Sequence, residues 1–142
     1  MQTDEYQLQL GWQGDDGLGI QLIQQILAGT KTATCCPKGA FTEKALATLV
    51  ASKGKIVAVV DLDGKVHCHV RMIDVFETTF GHPDPRLVRG EGDGDDVGKF
   101  KHDHSDIWAD EMAATGQPLT GETVLIAEEF ELVAEDDKPQ LL

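Results

Sequence analysis

The middle of the chain changes from helical to β-strand patterning, and this change constrains the fold more than any other feature. Residues 55–62 form a nearly continuous β-branched and apolar run, which predicts a strand buried on both faces. The dipeptide Asp63-Gly64 then predicts a tight hairpin turn. Beyond it, apolar and polar residues alternate through Met72 and toward Phe76, as in a half-buried strand. The chain therefore contains an antiparallel hairpin.

Helical periodicity flanks this hairpin. Residues 18–28 place apolar side chains on one stripe, with Asp15 or Asp16 available as a cap and Gly29 as a terminator. Residues 97–114 predict a longer helix. One side of that helix carries Phe100, His104, Ile107, Trp108 and Met112.

Two further strands and a short helix complete the pattern. Residues 32–36 and 123–133 favour strands, and residues 45–51 favour the short helix. Leaving the short helix aside, the order along the chain is helix, strand, hairpin, helix, strand. This order predicts an α+β fold in which a small curled sheet packs with helices at its edges.

The length of 142 residues fits one domain, residues 1–142, with a core at about residues 18–133 and polar termini. Residues 1–16 are predicted to be a loosely ordered lead-in. No run approaches ~18 consecutive apolar residues, and the polar, acidic start does not suit a secretory signal. We therefore expect a cytoplasmic protein with no membrane partner.

The cysteine pattern also favours a reducing compartment. Cys35, Cys36 and Cys68 are odd in number, two of them are adjacent, and no C-x-x-C pair occurs. This is a poor disulfide framework and does not suit a zinc ribbon. No clear base stands beside Cys35 or Cys36 in the sequence, so a catalytic thiol is not favoured.

Charge is unevenly distributed along a chain whose net charge is −13. Between residues 17 and 60, five lysines and the single acid Glu43 give 5 − 1 = +4, which leaves −17 for the remainder. An acidic protein repels nucleic acid at long range, so DNA and long RNA are not expected as partners. The basic segment could hold one nucleotide or a short RNA, or it could be a solvated face.

A lysine and several threonines stand where the first helix should give way to a strand, in Gly-Thr-Lys-Thr-Ala-Thr at residues 29–34. In a partly closed cleft, Lys31 could act as a base, a nucleophile or an electrostatic clamp. Thr32 and Thr34 are two apart and would share one strand face. The alternative is a surface lysine next to β-favouring threonines.

Glu91 lies between Gly90 and Gly92, in a loop rich in glycine and acids. Glycines allow the backbone to approach a ligand closely, so Glu91 near Lys31 could serve in acid–base chemistry. The loop lacks the residues that an EF-hand requires at its sixth and twelfth positions. The alternative is a solvated loop.

The remaining polar candidates lie on the hairpin and on the last helix. His67 and His69 share a strand face, but no further cluster completes a metal site, so neither a metal nor another cofactor is predicted. His104 lies on the apolar side of its helix and is expected at the edge of the core. Arg71 could clamp a carbonyl or phosphate, or form a cross-strand ion pair.

Taken in order, these motifs resemble the ASCH domain family, in particular a small bacterial single-domain branch. The matching segments are G-T-K-T-A-T at 29–34, V-R at 70–71, V-R-G-E-G-D-G-D at 88–95 and E-E-F-E-L-V at 128–133. A helix with a histidine and aromatics follows the third segment, as it does in that branch. The resemblance extends over roughly residues 18–133.

The resemblance implies a PUA-like β-barrel, the ASCH fold, with two main helices flanking a curled, largely antiparallel sheet. Family members are described as RNA-associated, and one is described as a ribonuclease. Some small bacterial members are amidohydrolases that remove acetyl from N-acetylated cytidine with a Lys, a Thr and a Glu. Those three correspond to Lys31, Thr34 and Glu91. Cys36 stands where many members have Arg.

The leading hypothesis is therefore an amidohydrolase of an N-acylated nucleoside, with Lys31, Thr34 and Glu91 as the catalytic residues. Thr34 would attack the acyl carbon or position water for the attack. Substrate-binding roles are expected for Thr32, Arg71, His104 and Trp108. The expected partner is a small nucleoside or nucleotide, or a short RNA, and the sequence predicts no oligomeric state. The alternative is a non-catalytic RNA- or nucleotide-binding module, or a ribonuclease.

Overall fold

A computed structural model describes residues 6–114 and 118–134, which form one sheet, four α-helices and a short 3₁₀ helix at Lys38–Ala40. The strands are β1 (Leu8–Gln9), β2 (Ala33–Pro37), β3 (Ile56–Val60), β4 (Val66–Thr79) and β5 (Val124–Leu132). The helices are α1 (Leu18–Ala28), α2 (Glu43–Ala51), α3 (Pro85–Gly90) and α4 (Val97–Ala114). No helix in these residues has both the length and the apolar character to cross a membrane.

The five strands form one curled sheet in the order β1-β3-β4-β5-β2. Every pairing is antiparallel except the short parallel pair of β1 with β3. In β4 the register with β5 shifts between Met72 and Asp74, a bulge that increases the local bend. The sheet therefore curls into a half-barrel and confirms the predicted α+β, PUA-like fold.

Apolar residues cover both faces of the sheet and form two cores. The first core consists of Leu8, Leu10, Ile23, Ile26, Leu49, Val57, Val59, Val70, Met72, Ile126 and Phe130. The second core consists of Ala33, Cys35, Phe80, Leu87, Val88, Phe100, Trp108, Leu125 and Ala127. Because side chains alternate along a strand, β5 contributes to both cores and is buried on both faces.

The lead-in predicted to be loose is ordered from residue 6, so that prediction was wrong there. Leu8 pairs with Val59 in the parallel β1–β3 ladder, and Leu8 and Leu10 are buried in the first core. Gly17, in the left-handed region, occupies the cap position of α1. Asp15 still caps from nearby, since its carboxylate accepts from the amides of Gly17 and Gly19.

The other boundaries differ from the predicted ones for local reasons. α2 begins at Glu43 because the Thr42 side chain accepts a hydrogen bond from the Ala45 amide. β4 continues to Thr79 along its partner β5. β2 begins at Ala33, one residue later than predicted. α1 and α4 have the predicted bounds, and α2, with nine residues, is a third helix of similar size to α1.

Candidate functional site

The end of α1 positions Lys31. Gly29 adopts the left-handed conformation that closes the helix, and the amides of Thr30 and Lys31 both donate to the carbonyl of Gln25. The chain then turns into β2. The Lys31 side chain is only 2% exposed, so this lysine is inside the protein rather than on its surface.

The short helix α3 brings Glu91 to the same place. Gly90, its last residue, packs so closely on β2 that an added Cβ would lie 2.4 Å from the Cβ of Ala33. The Thr32 amide donates to the Gly90 carbonyl at 2.7 Å and joins the two segments. Only glycine permits this approach, and it places Glu91 against Lys31.

Lys31 and Glu91 form a buried ion pair. The Lys31 ammonium donates to Oε1 of Glu91 and, at 2.8 Å, to the carbonyl oxygen of Ala33. The Glu91 side chain is 6% exposed, so the alternative of a solvated loop does not hold for this residue. A buried charge without its partner is strongly destabilising, which makes the two side chains interdependent.

His104 is the third member of this group. Its Nε2 lies 2.6 Å from Oε2 of Glu91, and its Nδ1 lies 2.8 Å from the carbonyl oxygen of Phe100. Because both neighbours are acceptors, the imidazole satisfies them by carrying a hydrogen on each nitrogen. The ring stacks between Phe100 and Trp108 on α4, with centroids at 4.3 and 4.8 Å.

Electrostatics favour the charged forms of Glu91 and His104. Burial alone would raise the pKa of Glu91, but the charges of Lys31 and His104 and their hydrogen bonds lower it. Burial likewise opposes the charged form of His104, yet the Glu91 carboxylate raises the pKa of His104. With all three charged, this group of a strongly acidic chain carries a local charge of +1.

Cys35 borders the group and completes a set of possible metal ligands. Its Sγ lies 3.7 Å from Oε2 of Glu91, and ligand atoms of Cys35, Glu91 and His104 lie within 4.8 Å of one another. The ammonium of Lys31 on Glu91 opposes a further cation there. Burial, followed by the charge of Glu91, raises the pKa of Cys35 well above its usual value, so the thiol is a poor nucleophile.

Thr34 lies on β2 between Ala33, whose carbonyl accepts from Lys31, and Cys35, but its side chain points to the opposite sheet face from Cys35. It is 9% exposed and pairs in register with Glu128 of β5. Within the described residues its hydroxyl has no hydrogen-bond partner. Every fully enclosed polar side-chain atom in the described residues has a hydrogen-bond partner. The Thr34 hydroxyl, which has none, is therefore in contact with solvent.

Of the four predicted substrate-binding residues, two lie at the site and two have exposed side chains. His104 and Trp108 belong to the site, although Trp108 is 6% exposed and packs between His104 and Phe80. Thr32 is exposed and contributes through its backbone. Arg71 is exposed and lies 3.5 Å from Glu131, which is the cross-strand ion pair considered as its alternative role.

Sequence reasoning did not single out Glu128 as a site residue. Its side chain is buried, and the Tyr6 hydroxyl donates to Oε1 at 2.7 Å. Burial raises the pKa of Glu128 to about 7, against the lowering effects of the Tyr6 hydrogen bond and of Lys31. The available signal was strand alternation, which puts Glu128 on the apolar face between Ile126 and Phe130.

Comparisons with known proteins agree with this architecture. The chain is similar to the ASCH domain of Lactobacillus crispatus JV V101, with TM-score 0.70, 20% identity and coverage of 90% of this chain and 80% of that one. It is also similar to protein EF3133 of Enterococcus faecalis V583, described by the family model DUF984, with TM-score 0.72, 19% identity and coverage of 90% and 76%. No curated protein matches the chain. A family model described as ASCH domain matches residues 12–134, and the protein therefore belongs to the ASCH domain family.

Proposed function

We propose that this protein is an amidohydrolase that removes the acyl group from a small N-acylated nucleoside such as N-acetylated cytidine. The observation that carries the proposal is the buried Lys31–Glu91 ion pair, which His104 extends and which lies at the start of the strand that carries Thr34. These are the residue types, at the corresponding positions, that the resemblance assigns to the acetylcytidine hydrolases of the family.

Lys31 stabilises the oxyanion in this proposal. An ammonium group has three hydrogens, and Lys31 directs two of them to Glu91 and to the Ala33 carbonyl. The third is available for the acyl oxygen of a substrate. Because the cation is held by fixed partners in a site with little water, it stabilises the charge that develops on that oxygen with little reorganisation.

Thr34 and Glu91 take the other two roles. The Thr34 oxygen attacks the acyl carbon, the bond between that carbon and the nitrogen breaks, and water later releases the acid from Thr34. The leaving nitrogen needs a proton, which His104 supplies through Glu91 along their 2.6 Å contact. Cys35 takes no part, since its thiol stays protonated.

The charges of the described residues favour a single nucleoside over a long RNA as the ligand. In the basic segment of residues 17–60, Lys31 is buried, while Lys38 and Lys53 pair with carboxylates at 3.1 and 2.9 Å. Three of its five lysines are therefore already neutralised. A phosphate-driven RNA site would need those charges free.

The test is hydrolysis of N-acetylated cytidine by the purified protein, followed as release of cytidine. We expect turnover by the wild type and a loss of about 10²-fold or more in Lys31→Met, because the oxyanion loses its donor. Lys53→Met is the matched control, since Lys53 is an exposed lysine in a carboxylate pair, and it should keep full activity.

The proposal fails if the wild type releases no cytidine, or if Lys31→Met hydrolyses the substrate at the wild-type rate. A short RNA incubated in parallel distinguishes the alternative functions. RNA binding that weakens steeply with salt, or RNA cleavage that Lys31→Met abolishes, would favour an RNA-directed role instead.

A further inference from the structure

Two neighbouring positions of β2 face opposite sides of the sheet, and each faces a buried carboxylate. Cys35 faces Glu91 in the group that contains Lys31. Thr34 faces the other side, where its register partner on the antiparallel strand β5 is Glu128. Directly opposed residues of antiparallel strands have Cβ atoms about 4.5–5.5 Å apart, so the Thr34 and Glu128 side chains leave adjacent positions on the same sheet face.

Glu128 is an acid in the first core. It stands between Ile126 and Phe130 on the apolar face of β5, and it is 2% exposed. Tyr6 occupies one carboxyl oxygen. Tyr6 is the hydrogen-bond donor seen on this carboxyl group among the described residues, and it leaves Oε2 as the oxygen that can accept a proton.

We propose that Glu128 is the general base that accepts the proton of Thr34, and that Tyr6 is the positioning residue that holds its carboxyl group. This inference rests on the proposed amidohydrolase function and deepens it. It assigns to Thr34 a base on the sheet face that Thr34 itself occupies, while Glu91, bound to Lys31 and His104, keeps the role of passing a proton to the leaving nitrogen. Because β2 is an edge strand, a substrate at that edge can reach groups on both of its faces.

The groups around Glu128 suit a base that works near neutral pH. Burial raises its pKa to about 7, the Tyr6 hydrogen bond and the Lys31 charge lower it, and the Glu91 charge raises it. Among the described residues, the titratable groups seen to act on Glu128 are Tyr6, Lys31 and Glu91, and Cys36 acts in turn on Tyr6. A base whose pKa lies near the working pH is substantially deprotonated there and still binds a proton well.

The proton and bond changes balance over the cycle. As the bond from Thr34 oxygen to the acyl carbon forms, the hydroxyl proton passes to Glu128, and the nitrogen leaves with a proton from His104. Water then attacks the acyl carbon and gives one proton to His104 through Glu91. The bond to Thr34 breaks, and Glu128 returns its proton to the Thr34 oxygen.

The experiment is the pH dependence of kcat/KM for N-acetylated cytidine in the wild type, Glu128→Gln and Tyr6→Phe, with melting curves for each. We expect Glu128→Gln to lower kcat/KM about 10²- to 10⁴-fold and to remove the rise in activity near pH 7. Tyr6→Phe keeps the apolar ring but loses the hydrogen bond, so the same rise should move to higher pH.

A purely structural Glu128–Tyr6 contact gives a different result. In that case Glu128→Gln would melt at a lower temperature but keep both its activity while folded and the wild-type pH profile, and this outcome overturns the inference alone. An unshifted profile in folded Tyr6→Phe overturns the positioning role of Tyr6. Absence of hydrolysis by the wild type overturns the proposed function and the inference together.

Discussion

Glu91 and Glu128 are two buried carboxylates on opposite sides of β2 with opposite electrostatic behaviour. Burial by itself acts to raise the pKa of both carboxyl groups. At Glu91, the charges of Lys31 and His104 outweigh burial and lower the pKa, whereas at Glu128 a phenol hydroxyl and a more distant Lys31 leave it at about 7. The difference shows that contacting cations, not depth in the protein, decide which of two acids is charged.

The two acids also contribute to stability with opposite sign. Glu91 has a lowered folded-state pKa, so its contribution is present above the ordinary value of 4.5 and is lost as pH falls through the folded value. Glu128 has a raised pKa, so the folded state is progressively destabilised between pH 4.5 and about 7. Three of the four substitutions below remove or weaken one side of this contrast, and the fourth is a surface reference for it.

Lys31→Met should have the largest effect on stability. It leaves Glu91 buried with His104 as its remaining partner, and we expect the free energy of unfolding to fall by about 3–5 kcal/mol. Urea denaturation at pH 7 measures this loss of unfolding free energy. The double variant Lys31→Met/Glu91→Gln should lose less than the sum of the single variants, since neither charge is then left alone; additive losses would contradict the coupling.

Glu128→Gln should change the pH dependence of stability. In the wild type, ionisation of the buried Glu128 destabilises the folded state as pH rises from 4.5 to 7. The rise in the pKa of Glu128 corresponds to about 3 kcal/mol of unfolding free energy. The variant has no such proton to lose, so its unfolding free energy relative to the wild type should increase over that range. Denaturation curves at pH 5 and pH 8 measure the change, and parallel pH dependences would refute it.

His104→Gln should have a smaller effect that is largest in acid. The pKa of His104 is raised, so its contribution is fully present below the ordinary value of 6.5 and is lost as pH rises through the folded value. A charged hydrogen bond of this kind contributes about 2 kcal/mol. Thermal or urea unfolding at pH 6 and pH 9 should show the gap between wild type and variant closing; a gap that widens would exclude the ion pair.

Lys53→Met should have the smallest effect and serves as a reference for the buried pair. Lys53 contacts Asp74 at 2.9 Å, but its side chain is 55% exposed, so solvent screens the interaction. We expect a loss of less than about 1 kcal/mol, further reduced by added salt. A loss as large as that of Lys31→Met would remove the distinction between surface and buried pairs in this protein.

The sequence predicted the fold well where local chemistry controls it. Gly29 ends α1 in the left-handed conformation, and the turn that contains Gly64 joins β3 to β4, as expected. The N-terminal strand was missed because β1 is only two residues long and exists through pairing with β3. Pairing with a distant segment leaves little trace in so short a window.

The candidate site was predicted as residues but not as an arrangement. Lys31, Glu91 and His104 could each be named from their motifs, and a family resemblance grouped two of them with Thr34. Glu91 was predicted as the partner of Lys31, but no local pattern indicated that Glu91 would also contact His104, or that Thr34 would pair with Glu128. Arg71 was predicted to bind substrate because it lies on the polar face of its strand, but on that face it pairs with Glu131.

The sequence by itself determined the ends of α1 and α4, the hairpin and the residue types available for chemistry, because caps, glycines and side-chain periodicity act over a few residues. Only the tertiary structure decided the charge environment of each acid. Sixty residues separate Lys31 from Glu91, and 122 separate Tyr6 from Glu128, so these contacts form only when the sheet curls and α3 packs on β2. Electrostatic interactions depend on distance and burial, and both are set by the fold.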